Sequence, residues 1–260
     1  MRMRTRLDDI VAARESITRS QARGLILAGR VRVNGAPVTK AGAYITEEAV
    51  LEIQKSRRFV SRGGEKLNHA LDAFNMNVQG ATALDIGAST GGFTDCLLSR
   101  GAACVTALDV GYGQLAWKLR NDPRVTVIER TNFRNLPDDA FPGGFDVIAA
   151  DTSFISLRTI IARAKALLRP AGSMAALVKP QFEAGRERIG GGGVVRDPEV
   201  HRAVLREVRS AVNDLGLRAV AVTASPLRGP AGNREFFLFI RHEGIPINDA
   251  TIDSVVNSEA

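Results

Sequence analysis

The 260-residue chain is 45% hydrophobic and 24% charged, enough for one large core plus a small one, and no apolar run reaches the roughly 18–20 residues that span a bilayer. Met1-Arg2-Met3-Arg4 leads into charged sequence, not the apolar centre of a signal peptide, and the two cysteines, Cys96 and Cys104, make neither a disulfide framework nor a metal-ligand spacing. A cytoplasmic, metal-free protein with plain buried thiols is expected, and its net charge of +7 lies wholly in residues 1–62, which hold thirteen Lys/Arg against six Asp/Glu.

In the front segment Leu7, Ile10 and Val11 recur at helical spacing, with Arg6, Asp8 and Asp9 on the other face. A second helix opens at Thr18-Arg19-Ser20-Gln21, a capping-box pattern, and runs through Ala22, Leu25 and Ile26 to a stop at Gly29. Val31 and Val33 then alternate with Arg30 and Arg32, and Asn34-Gly35 signals a hairpin before a strand around Val38. Concentrated positive charge on such a unit attracts phosphate backbones; a solvated basic surface kept for solubility is the plain alternative. The element order, Ser20-Gln21-Ala22-Arg23 and the run from Gly29 to Gly35 resemble the alpha-L RNA-binding domain over roughly residues 5–53. That resemblance implies a small α+β RNA-binding domain at 1–53, with Arg4, Arg6, Arg19, Arg23, Arg30, Arg32 and Lys40 as its RNA contacts; an ordinary small α/β domain is the alternative.

Residues 54–62 are too polar for a core element and read as a linker, in which Arg57, Arg58 and Arg62 can touch either RNA or cofactor. Over 63–245, strand-like runs at 83–86, 105–110, 125–129, 147–150, 175–178, 219–223 and 236–240 alternate with helix-like ones. The helices include 157–168 and 198–215, the latter with Asp197 as N-cap and Gly216 as stop. This alternation predicts an α/β fold with a mostly parallel seven-stranded sheet covered on both faces. Residues 183–196, with four successive glycines, read as a mobile loop near a substrate entrance or a surface connection, and 246–260 as a tail.

The strongest local signal is Leu84-Asp85-Ile86-Gly87-Ala88-Ser89-Thr90-Gly91-Gly92-Phe93, a strand entering a glycine-rich turn and then a helix. The dinucleotide fingerprint is not matched, because Gly87-Ala88-Ser89 lacks its second glycine. Asp109 ends the next strand, where a carboxylate can bind both hydroxyls of a ribose, and Asp85 suits an ammonium group. A cofactor with a ribose and a charged amino acid but no pyrophosphate is S-adenosylmethionine. Its expected contacts are Asp85, Gly87, Ser89, Thr90, Gly91, Gly92, Phe93, Asp109, Val110, Arg130, Thr131 and Asn132. Asn132 either hydrogen-bonds the adenine edge or serves as a turn residue.

Glu65-Lys66-Leu67, the glycine-rich turn, Asp109-Val110-Gly111-Tyr112-Gly113-Gln114-Leu115 and Arg120-Asn121-Asp122-Pro123-Arg124-Val125 extend the pattern. Ala150-Asp151-Thr152-Ser153-Phe154-Ile155-Ser156, Val178-Lys179-Pro180-Gln181-Phe182-Glu183, Gly192-Gly193-Val194-Val195 and Ala224-Ser225-Pro226 follow in order. Together they resemble the TlyA family of ribosomal RNA methyltransferases along nearly the whole chain. The resemblance implies a Rossmann-like class I methyltransferase related to the FtsJ-type ribose 2′-O enzymes, whose lysine, aspartate, lysine, glutamate tetrad maps to Lys66, Asp151, Lys179 and Glu235. Singly, Lys66 and Glu235 read as solvated charges; Asp151 and Lys179 sit at expected strand ends. Lys179 would orient and deprotonate the hydroxyl, and Asp151 and Glu235 would hold the two ammonium groups. Within that family a short N-terminus and an intermediate tail imply a cytidine in large-subunit (23S) RNA and leave small-subunit (16S) RNA open. The rivals are a base methyltransferase, although Asp151-Thr152-Ser153-Phe154 lacks the prolines that class uses, and a non-catalytic RNA-binding or membrane-active protein, as the family's older hemolysin A name suggests.

Overall fold

The computed structural model describes residues 4–46, 48–54, 58–137 and 139–258. The chain divides into two compact units, 1–57 and 58–260.

In the first unit, β1 (Arg4–Arg6) leads into α1 (Leu7–Glu15) and α2 (Arg19–Leu27), followed by β2 (Val31–Val33), β3 (Ala36–Pro37), β4 (Tyr44–Thr46) and β5 (Leu51–Ile53). Thr18 and Gln21 form the capping box that their spacing predicts, which satisfies two otherwise orphaned donors at the start of α2. Asn34 and Gly35 both take positive φ, 51° and 77°, and turn β2 into β3. Leu7, Val11, Ala22, Ile26, Val31 and Leu51 form the core. Asp8 departs from the expected outer face. It is fully buried, and Arg6 and Arg19 both donate to its carboxylate. The Arg6 hydrogen bonds hold the Asp8 carboxyl below the usual carboxylate range.

The second unit opens with α3 (Arg62–Ala73) and continues β6 (Thr82–Ile86), α4 (Gly92–Ser99), β7 (Cys104–Leu108), α5 (Trp117–Arg120), β8 (Val125–Ile128) and β9 (Phe145–Ala150). It then runs α6 (Leu157–Leu167), β10 (Leu168–Val178), α7 (Pro180–Glu183), α8 (Pro198–Asp214), β11 (Arg218–Ala224), β12 (Phe236–Arg241) and α9 (Asp249–Asn257). The seven strands order as β11-β12-β10-β9-β6-β7-β8, with β12 antiparallel to both neighbours and the pairs from β10 to β8 parallel. Because strand side chains alternate, Leu84, Ile86 and Ile148 join a core with α6, α8 and α9, while Ala83, Ala149 and Leu177 join one with α3 and α4 on the other face. After β8 the chain returns to β9 on the far side of β6, so a crevice opens at the carboxyl ends of β6 and β9.

Three expectations need correction, those on the linker, the tail and Cys104. Phe59, in the supposed linker, is buried in the second unit, the Val60 amide donates to Asp95, and Ser61 is the N-cap residue of α3; an aromatic ring and a helix start are hidden in polar sequence. The supposed tail forms α9, which packs Ile252 and Val256 into the core and is capped by Asn248. The 183–196 segment is anchored at both ends. Glu183 accepts from the Leu157 amide and the Ser156 hydroxyl, and Asn233 accepts from the Val195 amide and donates to the Gly193 carbonyl. Cys96 is buried as expected, but Cys104 is exposed, since it begins β7 where the strand enters the sheet. Among the described residues, no helix is long and apolar enough to cross a membrane.

Candidate active site

The sheet register lines up the chemistry. Ile86 pairs with Ala150, Ala150 with Ala176, and Val178 with Phe236, so Gly87, Asp151, Lys179 and Glu235 each sit one residue outside the same sheet edge. Lys66 reaches that edge from α3, whose buried face is Gly64, Lys66, Leu67, Ala70 and Leu71. Two ion pairs result. Lys66 Nζ lies 2.5 Å from Glu235 Oε2, and both residues are buried, at 7% and 1% exposure. Lys179 Nζ lies 2.5 Å from Asp151 Oδ1 and also donates to Ser153 Oγ at 3.0 Å. Each ammonium is thus aimed by one carboxylate.

Beside Asp151 a cleft of roughly 360 Å³ runs along the edge, a size suited to a cofactor-sized ligand. Six of the residues read from the sequence as cofactor contacts, Gly87, Ser89, Asp109, Val110, Thr131 and Asn132, line it. Gly87 takes φ 86° and leaves no room for a Cβ, which would collide with the Asp151 carbonyl; the turn therefore brings β6 against β9 at the cleft floor. Asp109 accepts from the Ser89 amide at 2.8 Å and from the Gly111 amide at 2.6 Å, so both oxygens are fixed while lone pairs stay available for hydroxyl donors. Asn132 accepts from the Arg134 amide and caps a 3-10 turn at Phe133–Asn135, so its Oδ1 is engaged while it lines the cleft.

The other expected cofactor residues lie apart from the cleft lining. Thr90 accepts from the Ala116 amide, a Cβ on Gly91 would collide with Leu119, and one on Gly92 with Ser61 on the approach to α3. Phe93 is buried in a core, with its ring 6.0 Å from Phe237. Arg130 turns its guanidinium over the Tyr112 ring at 4.0 Å. Gln114, Phe133, Ile155 and Ile160 also line the cleft, none of them among the expected cofactor contacts, although Gln114 and Ile155 fall within the motifs; Gln114 accepts from the Ser89 hydroxyl, and the other three supply an apolar wall.

Asp85 is fully buried and is not part of the lining. Its Oδ2 accepts from the Thr94 amide and hydroxyl, while Oδ1 is without a hydrogen-bond partner among the described residues. Burial pushes its carboxyl up to about 7, with Asp151 and Asp109 adding repulsion against the Thr94 hydrogen bonds. An orphaned carboxylate oxygen and three converging acidic groups suit a cationic ligand.

Of the expected RNA contacts in the first unit, Arg4, Arg23, Arg32 and Lys40 are exposed, Arg30 is half-buried, and Arg6 and Arg19 are engaged by Asp8. In the second unit Arg58 is exposed above the Phe59 ring at 5.1 Å, and Arg62 donates to the Arg228 carbonyl. Arg57 lies outside the described residues.

Residues 59–242 match the FtsJ-like methyltransferase family, and residues 5–51 match the S4 domain. A Mycobacterium tuberculosis 16S/23S rRNA (cytidine-2′-O)-methyltransferase is 49% identical over 93% of this chain and 91% of its own length. A Campylobacter jejuni 23S rRNA (cytidine-2′-O)-methyltransferase is 32% identical over 71% of each chain. Among solved structures, a Streptococcus thermophilus protein described as a hemolysin superposes with a TM-score of 0.74 and 41% identity, covering 98% of this chain and 95% of that one.

Proposed function

The chain belongs to the FtsJ-like methyltransferase family, and from that premise we propose that it transfers a methyl group from S-adenosylmethionine to the ribose 2′-hydroxyl of a cytidine in ribosomal RNA. The observation that carries the ribose reading is the pair of Lys–carboxylate contacts, Lys179 with Asp151 and Lys66 with Glu235, on the sheet edge beside the cleft. The 23S molecule is the substrate, and the 49% identity to a 16S/23S enzyme adds 16S as a second one. Such a substrate puts its work in the cytoplasm.

The cleft suits S-adenosylmethionine on its chemistry. Asp109 would accept from a ribose diol, the wall formed by Phe133, Ile155 and Ile160 would take a flat base, and the orphaned Asp85 oxygen, although outside the lining, would favour positive charge. When bound, the cofactor supplies an electrophilic methyl group on a sulfonium. A ribose hydroxyl is a poor nucleophile near neutral pH, so the protein must position it and remove its proton as the new O–C bond forms. Lys179 acts as a free amine: its ammonium first gives a proton to solvent, and Nζ then holds the hydroxyl and takes up its proton as the O–C bond forms and the methyl group leaves its sulfur, while Asp151 and Ser153 fix its direction and Lys66, held by Glu235, keeps a second positive charge at the same edge.

Asp85 ties cofactor affinity to pH. Its folded-state pKa is raised, so the protonated acid contributes stability below the ordinary carboxylate range that is lost as pH rises through about 7. A cationic cofactor favours the ionised form, so at acid pH its binding must expel the Asp85 proton. Affinity for S-adenosylmethionine is therefore expected to rise by up to about tenfold between pH 6 and pH 8, levelling off once the carboxyl is ionised. Isothermal titration across that range checks this, and Asp85→Asn should flatten the dependence; an equally steep profile in the variant would remove Asp85 from the account.

The function itself is tested by incubating the protein and labelled cofactor with each ribosomal subunit from an unmodified strain. Nuclease digestion and mass analysis should place the label on a cytidine ribose. Label on a base would replace this reading with that of a base methyltransferase.

A further inference from the structure

A second cleft, of roughly 410 Å³, lies in the same unit between residues 194–198 at the start of α8 and the 228–234 loop before β12. Arg196, Arg228 and Arg234 all line it. Among the described residues, none of the three forms an ion pair. Of the two carboxylates adjacent in sequence, Asp197 is occupied in capping α8 through the Glu199 amide at 2.9 Å and Glu235 in its ion pair with Lys66 at 2.5 Å, and Glu199 pairs with Arg202 at 2.7 Å. Arg234 spends its guanidinium on the last carbonyls of α9, at Val255, Val256 and Ser258, and forms a fixed cationic wall. Burial and the neighbouring Arg228 both lower its pKa, as expected where positive charge is left uncompensated. Arg196 and Arg228 are exposed, so they can reach a ligand. His201 at the cleft floor bonds the Val195 carbonyl at 3.1 Å, and burial holds its pKa down, which favours the neutral ring and leaves the positive charge of the cleft to the arginines.

The cleft borders the catalytic edge. Gly229 follows Arg228 and lies against Glu235, where an added Cβ would stand 2.5 Å from Oε1. Arg62 donates to the Arg228 carbonyl, and Asn233 clasps the opposite wall through Val195 and Gly193. An anion held there sits next to whatever Lys66, Glu235 and Lys179 act on.

We propose that this cleft is a phosphate subsite that holds a backbone phosphodiester of the RNA strand flanking the methylated nucleotide, an inference that rests on the RNA-methyltransferase reading. Guanidinium groups match phosphate geometry, and each neutralised phosphate releases counterions.

The test is equilibrium binding of a labelled single-stranded rRNA fragment across a salt series, using the full chain and its Arg196→Ala, Arg228→Ala and doubly substituted forms. Each lost contact should weaken affinity and reduce the slope of log K against log salt by about 0.7. Arg196→Lys and Arg228→Lys should keep the slope, because the charge remains. A double variant that melts like the wild type yet keeps the full slope would overturn the proposal, as would Lys variants that lose as much as the Ala ones. Inorganic phosphate raising the melting temperature of the wild type only, with RNA slopes equal, would assign the cleft to free phosphate instead. Methyl label mapped to a base would sink the ribose reading while leaving the slope difference standing.

Discussion

Replacing Lys179 with alanine is expected to lower kcat for RNA methylation by about 10²–10⁴-fold, the range associated with removing a positioned proton acceptor, while cofactor affinity stays near wild type. The asymmetry follows from position. Lys179 lies one residue beyond β10, and its Nζ is held by Asp151 and Ser153, whereas Asp109, the carboxylate proposed to hold the cofactor ribose, lies one residue beyond β7. Arginine at 179 should not restore the rate, because a guanidinium keeps its proton near neutral pH. Single-turnover methylation alongside calorimetric cofactor titration checks both halves. A Lys179→Ala protein that methylates at the normal rate would remove this side chain from proton transfer.

The second large effect is on stability. Lys66→Ala should destabilise the protein by about 3–5 kcal/mol, because it strands a buried carboxylate without its counter-charge. Glu235 is 1% exposed and Lys66 is its ion-pair partner at 2.5 Å. Replacing both residues with apolar side chains of similar volume, as Lys66→Met with Glu235→Leu, should recover most of that loss, since the pair's desolvation cost disappears with it. The recovered protein should still be inactive. Urea unfolding and methylation of the same samples separate the two roles. A double variant that is stable and fully active would make the pair purely structural, and a single variant as stable as the wild type would contradict the burial argument.

The glycine-rich turn after β6 and Asp109 at the end of β7 were legible because they are local: a strand, a turn and a second strand end within one short stretch. The strand cores were legible for the same reason, as apolar runs between turn signals. β10 starts earlier than its apolar run, at Leu168, because Pro170 and Gly172 lie in a stretch where the register against β9 shifts. The family resemblance named Lys66, but from the residues alone its burial was hidden, since a lysine on a helix that opens Arg62-Gly63-Gly64 reads as solvated. Only packing explains it: Gly64 admits Phe59 and Gly92 admits Ser61, and α3 then lies close enough for its lysine to meet Glu235 from β12. Asp8 was misplaced because two arginines from different elements make its burial tolerable, which no periodicity records. The apolar wall of the cleft comes from Phe133, Ile155 and Ile160, which are separated in sequence and meet only once the sheet is formed. α9 did leave a signal, in Asn248 three residues before Thr251 and in Ile252 and Val256 four apart.

If a sugar oxygen, not a base atom, is what the Lys179 edge serves, one atom in the RNA decides the matter. An rRNA fragment carrying 2′-deoxycytidine at the labelled position should bind as the all-ribose fragment does and accept no methyl group. Undiminished transfer to that fragment would contradict the account.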